Sequence, residues 1–364
     1  MKMLLIGDEK GRRAQHFIKA MENLNITYDF LSWQKFLFNR EKIGNFIEKD
    51  TIIRIEPPEK DLEVYREFLK LGSQEKKHDE INKIGFSDFK VISPSSWYKG
   101  FSKTLEKLSA NNNLSFMNHP EDILVMMDKK KTYEKLKEFL ERKGGNYSLP
   151  KVINDITCYD DIKKNYSSKG LKVFIKLRYG SGGIGVIAYE YNSILKKERA
   201  YTTLKMVGEN FYNTYKISKY TGENMIKLLV DWVIKEGAHI EYWIRKPKLQ
   251  DKRFDVRGIF INGKLEYSLA RLSKLPITNL HLKNERIPGE DIFSHLQKER
   301  LNLALVDVMK SFPKTFYSGT DIILTENNQY IIDVNPFGDL MHHLLESPEN
   351  LYVKELRELK KIYK

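Results

Sequence analysis

"VFIKLRYGSGGIGVIAYEY", residues 173–191, sets an apolar strand carrying Lys176 beside Gly180, Ser181, Gly182, Gly183 and Gly185, then returns to a strand from Val186 to Tyr191. Glycines relax the steric limits on φ and ψ, and several close together let backbone N–H groups converge on one anion. A lysine just ahead of such a loop adds a positive charge suited to phosphate. The stretch predicts a strand–loop–strand phosphate site. The plain alternative is a flexible hairpin with a snorkelling lysine. The spacing is not GxxxxGK[ST], and no HRD or DFG follows, so it matches neither a P-loop nor a protein kinase.

Toward the N-terminus the chain alternates. "MLLIG", "ITYDFLSW" and "TIIRIEPP" read as strands, and 11–24, 34–47 and 61–71 as helices. That rhythm predicts a parallel, doubly wound sheet. "GDEKGRR" after the first strand is not GxGxxG, which argues against dinucleotide binding. Arg54 and Glu56 leave a strand's carboxyl end, where open α/β sheets bind ligands. Arg54 is thus either a substrate contact or half of a structural ion pair. "NNNLSFMNHP" near residue 115 marks a boundary, "GGNYSLP" is a second break, and a small mixed unit spans 151–240. The last part is strand-rich, with a hairpin turn in "GIFINGKLEYS" and a helix near 298–311.

In "GTDIILTENNQYIIDVNPFGD", Asp321 lies on one strand, and Asp333 and Asn335 lie two apart on the next. Alternate strand residues share a face, so an antiparallel partner can bring Asp321 beside the other two. Three hard oxygen donors suit magnesium bridging nucleotide phosphates. Solvated strand-end carboxylates are the alternative. "RFDVRG" puts Asp255 and Arg257 on one strand face, and "LARLSKLPITNLHL" supplies Arg271 and, in a turn, Asn279. Arginine suits planar carboxylates and phosphates, though each could equally form a surface ion pair.

The 364 residues allow two or three domains, and 41 % hydrophobic content is ordinary for a globular chain. No apolar run reaches the ~18 residues of a membrane span. The N-terminus reads as a first strand, not a signal peptide. A single cysteine, Cys158, excludes an internal disulfide, and a cytoplasmic location is the expectation. The net charge of +13 reads as lysines on solvated helix faces rather than as nucleic-acid binding; a positive field drawing anionic substrates is a third reading.

Taken in order, these residues resemble the ATP-grasp superfamily, in particular its glutathione synthetase-like branch. A bacterial group of such proteins shares "LLIG", "RIE-P", "NHP", "MMDK" and "DVNPFGD". The resemblance implies an α/β (α+β) ATP-grasp fold: a Rossmann-like domain over 1–125, a lid subdomain over 126–240 and a C-terminal mixed-sheet subdomain over 241–364. It implies that Lys129 and Lys176 bind nucleotide, with Ser181, Gly182 and Gly183 in the phosphate loop. Glu241 would lie near the adenine, with the Trp243 and Ile244 backbone along its edge. Asp255 and Arg257 resemble the branch's D-x-R pair, and Arg271 and Asn279 its "ARL…NL" segment. Asp321, Asp333 and Asn335 fall where the family holds magnesium. Two departures stand out. Many relatives have Glu at the position of Asp333, and Lys283 and Asn284 replace the paired glycines after "NL".

The implied activity is ATP-dependent carboxylate–amine ligation through an acyl phosphate, with Mg2+ or Mn2+. Arg257, Arg271 and Asn279 would serve the reacting acyl group. The substrates would be a carboxylate-bearing small molecule or peptide and an amine donor. The rival readings are a phosphotransferase on the same fold and a non-catalytic nucleotide- or nucleic-acid-binding module. His281, His342 and His343 are read as structural, loop 178–185 as a lid, and a homodimer stays open.

Overall fold

The computed structural model describes residues 1–58, 61–85, 90–111, 113–166, 168–180, 182–278, 285–339, 341, 344 and 347–363. Its strands form three sheets. The first part runs β1 Lys2–Gly7, α1 Arg12–Asn23, β2 Tyr28–Ser32, α2 Trp33–Leu37, β3 Thr51–Ile55, α3 Leu62–Gly72, α4 His78–Asn82, α5 Pro94–Ser109, β4 Ser115–Phe116, α6 Pro120–Met127 and α7 Lys129–Lys143. Its sheet is wholly parallel in the order β2-β1-β3-β4, as the alternation predicted. Both faces of β1 are covered. Met3 and Leu5 pack with Phe17 and Met21 of α1, while Leu4 and Ile6 pack with Phe68 and Phe101 of α3 and α5. Two expectations are corrected. The helix over 34–47 is only α2 followed by a 3-10 turn at Ile43–Phe46. The break near 115 contains β4, which pairs with β3.

The second part comprises β5 Val152–Ile153, α8 Tyr159–Tyr166, β6 Leu171–Leu177, β7 Ile187–Asn192, β8 Lys197–Val207, β9 Asn210–Tyr220, α9 Glu223–Lys235 and β10 Ala238–Tyr242. The sheet order is β5-β10-β6-β7-β8-β9. β10 crosses the expected 240/241 boundary and belongs entirely to this sheet, paired with β6. One face is covered by α8 and α9 through Tyr159, Ile162, Ile226 and Val230.

The third part comprises β11 Lys248–Leu249, β12 Lys252–Ile261, β13 Lys264–Ser273, β14 Glu285–Pro288, α10 Gly289–Ile292, α11 His295–Lys310, β15 Tyr317–Leu324, β16 Gln329–Asn335 and α12 Leu351–Ile362. Its sheet runs β14-β13-β12-β15-β16, with β11 pairing to β12. The β12–β13 turn is the hairpin read from the sequence. Asn262 and Gly263 both have positive φ, 43° and 92°, as a type I′ turn requires. α11 starts with a capping box between Ser294 and Gln297 and packs on this sheet together with Leu136 of α7. α12 returns to α1: Phe17 and Tyr352 meet edge to face at 5.5 Å. Among the described residues, no helix is long and apolar enough to cross a membrane.

Candidate functional site

Between the second and third sheets lies a cleft of about 710 Å³, part of it open to solvent. Phe174, Val186, Ile244, Ile277, Ile323 and Ile332 form its apolar wall, and Lys129, Lys176, Glu241, Asp255, Arg271, Asp321 and Asp333 its charged one. Loops and strand ends from distant parts of the chain converge here.

Lys176 points into the cleft because β6 alternates. Val173, Ile175 and Leu177 enter the helix-covered core, and Phe174 and Lys176 face the other way. Its ammonium pairs with Glu241 and donates to the carbonyl of Ile332 at 3.0 Å. Burial pushes the Glu241 carboxyl up, but Lys176 and His239 outweigh it and hold it below the usual range. The Trp243 N–H donates to the Lys172 carbonyl at 3.0 Å, which fixes the segment leaving β10. Trp243 therefore braces the wall against Phe174, and Ile244 is the residue of that pair that lines the cleft.

Asp128 caps α7, accepting from the N–H groups of Lys130 and Lys131. Its carboxylate also takes a bidentate grip from Arg178, at 2.6 and 2.7 Å, which ties the base of the Gly-rich loop to the helix. Lys129 follows directly. Its ammonium reaches the Gly180 carbonyl at 2.9 Å and Asp333 Oδ1 at 3.1 Å, so it spans the loop and the third sheet. In the loop, Gly182, Gly183 and Gly185 have φ of 61°, 78° and 69°, a region that favours glycine. A Cβ on Gly185 would also strike the Leu177 side chain at 2.2 Å.

On the third sheet, Asp321 and Asp333 face each other in register across β15 and β16, and Gly319 faces Asn335. Asp255 and Arg271 are likewise cross-strand partners on β12 and β13. Arg271 bridges two acids, Nε to Asp255 Oδ1 at 2.7 Å and Nη2 to Asp321 Oδ2 at 3.0 Å. Arg257 Nε lies 2.7 Å from Asp321 Oδ1, without hydrogen-bond geometry on either atom. Burial is the largest influence on Asp321 and raises its carboxyl above the usual value despite both arginines; Asp255 and Asp333 add to the rise. Asp255 goes the other way, because Arg271 and Lys246 overcome its burial.

The residues fit a hard divalent cation. Two opposed carboxylates repel each other, Asp321 Oδ1 has no hydrogen-bond donor, and Asn335 spends its Nδ2 on the Gly319 carbonyl at 3.3 Å, leaving Oδ1 to offer. Among the described residues, no three His, Cys, Asp or Glu side chains gather as a metal cluster. The candidate set is two carboxylates and an amide, which leaves positions for water and phosphate oxygens.

The structure brings together Lys129, Lys176, Gly183, Glu241, Ile244, Asp255, Arg271, Asp321 and Asp333. Arg257, Asn335, Gly182 and Trp243 stand directly beside them. Ser181, Asn279, His281, His342 and His343 lie outside the described residues. Arg54 is no substrate contact: it is fully buried, paired to Glu56 and Glu355. Sequence reasoning missed Lys246. Its buried ammonium donates to Asp255 Oδ2 at 2.9 Å, the Pro276 carbonyl at 3.2 Å and Thr278 Oγ1 at 2.5 Å. No spacing in "WIRKPKLQ" marks it; its role follows only from how the linker folds back on β12.

No family model matches the sequence, and no curated protein sequence matches it. Solved structures do. The D-alanine–D-alanine ligase of Bacillus anthracis is 13 % identical, with 100 % of this chain and 97 % of that one covered and a TM-score of 0.53. The macrocyclase MdnC of Microcystis aeruginosa, bound with precursor peptide MdnA, is 11 % identical over 99 % of each chain, with a TM-score of 0.57. A RiPP-associated ATP-grasp ligase of Chryseobacterium gregarium, in complex with ADP and a leader and core peptide, is 11 % identical over 100 % of this chain and 97 % of that one, with a TM-score of 0.58. Likeness at these identities concerns the fold, and the fold is the ATP-grasp fold that the sequence led us to expect.

Proposed function

We propose that this chain is an ATP-dependent ligase that joins a carboxylate to an amine. One observation carries the reading: Lys129, Lys176 and the opposed Asp321–Asp333 pair converge on a single cleft that also has an apolar wall. Such a cleft can take a base against Phe174, Val186 and Ile277, and a polyphosphate against the lysines and the loop at Gly182 and Gly183. Glu241 and the Ile244 backbone would meet the base.

The chemistry follows from need. A carboxylate is a poor electrophile at neutral pH. Its oxygen attacks the γ-phosphorus of ATP, the bond to the β-phosphate oxygen breaks, and ADP leaves. The acyl phosphate then accepts the amine at its carbonyl carbon, inorganic phosphate departs, and the amine nitrogen loses its proton. Arg257 and Arg271 would bind the carboxylate and then the oxyanion of the tetrahedral state. Mg2+ or Mn2+ held by Asp321, Asp333 and Asn335 would supply charge neutralisation for the phosphates. Asp255 acts through Arg271, which it orients. Lid 178–185 would exclude water.

Two of the similar structures hold a precursor peptide or a leader and core peptide, which supports a peptide carboxylate as one acceptor class. The test is a screen of amino acids, small carboxylates and acidic peptides with Mg·ATP, reading free phosphate and product mass. Stoichiometric phosphate with a new amide is expected. A phosphorylated product without free phosphate would establish the phosphotransferase instead, and no ATP turnover with any acceptor would remove the ligase reading.

A further inference from the structure

The acidic strand ends of the third sheet are held from outside that sheet. Asn118 stands between β4 and α6, in the first part of the chain, and is 2 % exposed. Its side chain makes four hydrogen bonds. Oδ1 accepts from the N–H groups of Phe316 at 2.8 Å and Tyr317 at 3.1 Å, where β15 begins. Nδ2 donates to the carbonyls of Tyr317 at 2.8 Å and Pro336 at 2.6 Å. Pro336 directly follows Asn335, the last residue of β16. One amide thus clamps the start of β15 to the turn after β16.

A second tie lies next to it. Arg13, at the start of α1, donates from Nη1 to the Phe337 carbonyl at 2.6 Å. The clamped turn leads through Gly338, with φ of 61°, to Asp339, whose carboxylate is 3.9 Å from Arg257 Nε. The Arg257 guanidinium in turn lies over Gly319, where a Cβ would stand 2.7 Å from Nη1. Asn335 Nδ2 bonds the carbonyl of that same Gly319. Asn335, Gly319 and Arg257, three groups around Asp321, are therefore referenced to the turn that Asn118 and Arg13 hold.

We infer that Asn118, supported by Arg13, is a positioning residue for the cation site, setting Asn335 against Asp321 and Asp333 from the N-terminal part of the chain. The inference rests on the reading that those three residues hold a divalent cation. Residues one shell behind metal ligands commonly govern affinity by about 10- to 100-fold.

The experiment titrates Mn2+ into the full chain with the non-hydrolysable nucleotide AMP-PNP and follows free Mn2+ by electron paramagnetic resonance. Asn118→Ala should weaken Mn2+ by about tenfold, and Arg13→Gln should weaken it less. Binding of AMP-PNP without metal should stay at the wild-type level in both. A merely structural tie would lower the melting temperature and leave the Mn2+ affinity of the folded protein unchanged, and that result overturns the inference. If Asn118→Ala does not fold, Arg13→Gln decides alone by the same readout. Asp333→Asn separates the two layers. Loss of Mn2+ there with unchanged affinity in the Asn118 and Arg13 variants sinks only the positioning role. No Mn2+ binding by the wild type sinks the cation site and the inference with it.

Discussion

Two clusters of buried charge sit on strands of this molecule, and they are built to different ends. In the first, Arg54 on β3 pairs with Glu56 and with Glu355 of α12. Its guanidinium carbon lies 4.0 Å from the ring centre of Phe17 and 4.2 Å from that of Tyr317. In the second, Arg271 and Arg257 pair with Asp255 and Asp321. Arg54 is 0 % exposed and Arg271 3 %, so burial does not separate them. What separates them is the wall. The Arg54 cluster is closed by aromatic rings and joins α1, β3, β15 and α12. The Arg271 cluster lines a cleft that Lys129, Lys176 and glycine backbone also line. The first converts charge into cohesion between parts of the chain; the second keeps charge on an accessible face.

Arg54→Met should give the largest loss. Removing one partner leaves Glu355 buried without its cation and Glu56 with only Arg13 at 3.6 Å, at a cost of about 3–5 kcal/mol by denaturant unfolding. The cost depends on pH. Burial already holds the Glu355 carboxyl above its ordinary 4.5, so its protonated form favours folding at low pH and that support fades as pH rises through the raised value. The variant should be relatively less impaired at about pH 5 than at about pH 8. Its AMP-PNP affinity, measured on the folded protein, should match the wild type. A specific loss of nucleotide binding would erase the distinction between the clusters.

Asp321→Asn is the mirror experiment. It should leave the melting temperature nearly unchanged, since a neutral amide sheds the burial penalty and the repulsion from Asp255 and Asp333, which together outweigh the pull of Arg257 and Arg271. ATP turnover should fall by about 100- to 1,000-fold, the scale of removing one preorganised charge-stabilising group. Unfolding with retained specific activity would move Asp321 into the cohesive class.

The contrast also marks what could be read from the residues in order. The parallel first sheet, the glycine loop and the Asp321–Asp333 register were legible, because periodicity and backbone chemistry are local. Arg54 was ambiguous, because its second partner, Glu355, lies 301 residues away and no local pattern announces it. Lys246 and Asn118 were missed for the same reason: each acts through carbonyls and carboxylates supplied by other segments. β4 was missed because two residues are too few to show a period, and β3 supplies the pairing.

Asp255→Asn probes the interior of the second cluster. Its carboxyl is held well below the ordinary 3.8 by Arg271 and Lys246 against its burial. A depressed acid contributes stability above the ordinary value and loses it as pH falls toward the folded one. The gap in stability between wild type and variant should be widest near neutrality. It should narrow below about pH 4, by at most roughly 1.4 kcal/mol per pH unit. A gap independent of pH would mean that the carboxylate is not the stabilising species.

Thr278→Val should have the smallest effect and makes the finest cut. The hydroxyl donates to Asp255 and accepts from Lys246, so it joins the loop after β13 to both. Valine keeps the shape and removes one donor and one acceptor. Asp255 retains Arg271 and Lys246, and Lys246 retains Asp255 and the Pro276 carbonyl. With no charge orphaned, the cost should be about 1 kcal/mol. If the loop matters only to cohesion, turnover at saturating ATP stays near the wild-type rate. A larger fall in turnover than in stability would assign the Lys246–Asp255–Thr278 group to the positioning of Arg271, because Arg271 bonds both Asp255 and Asp321.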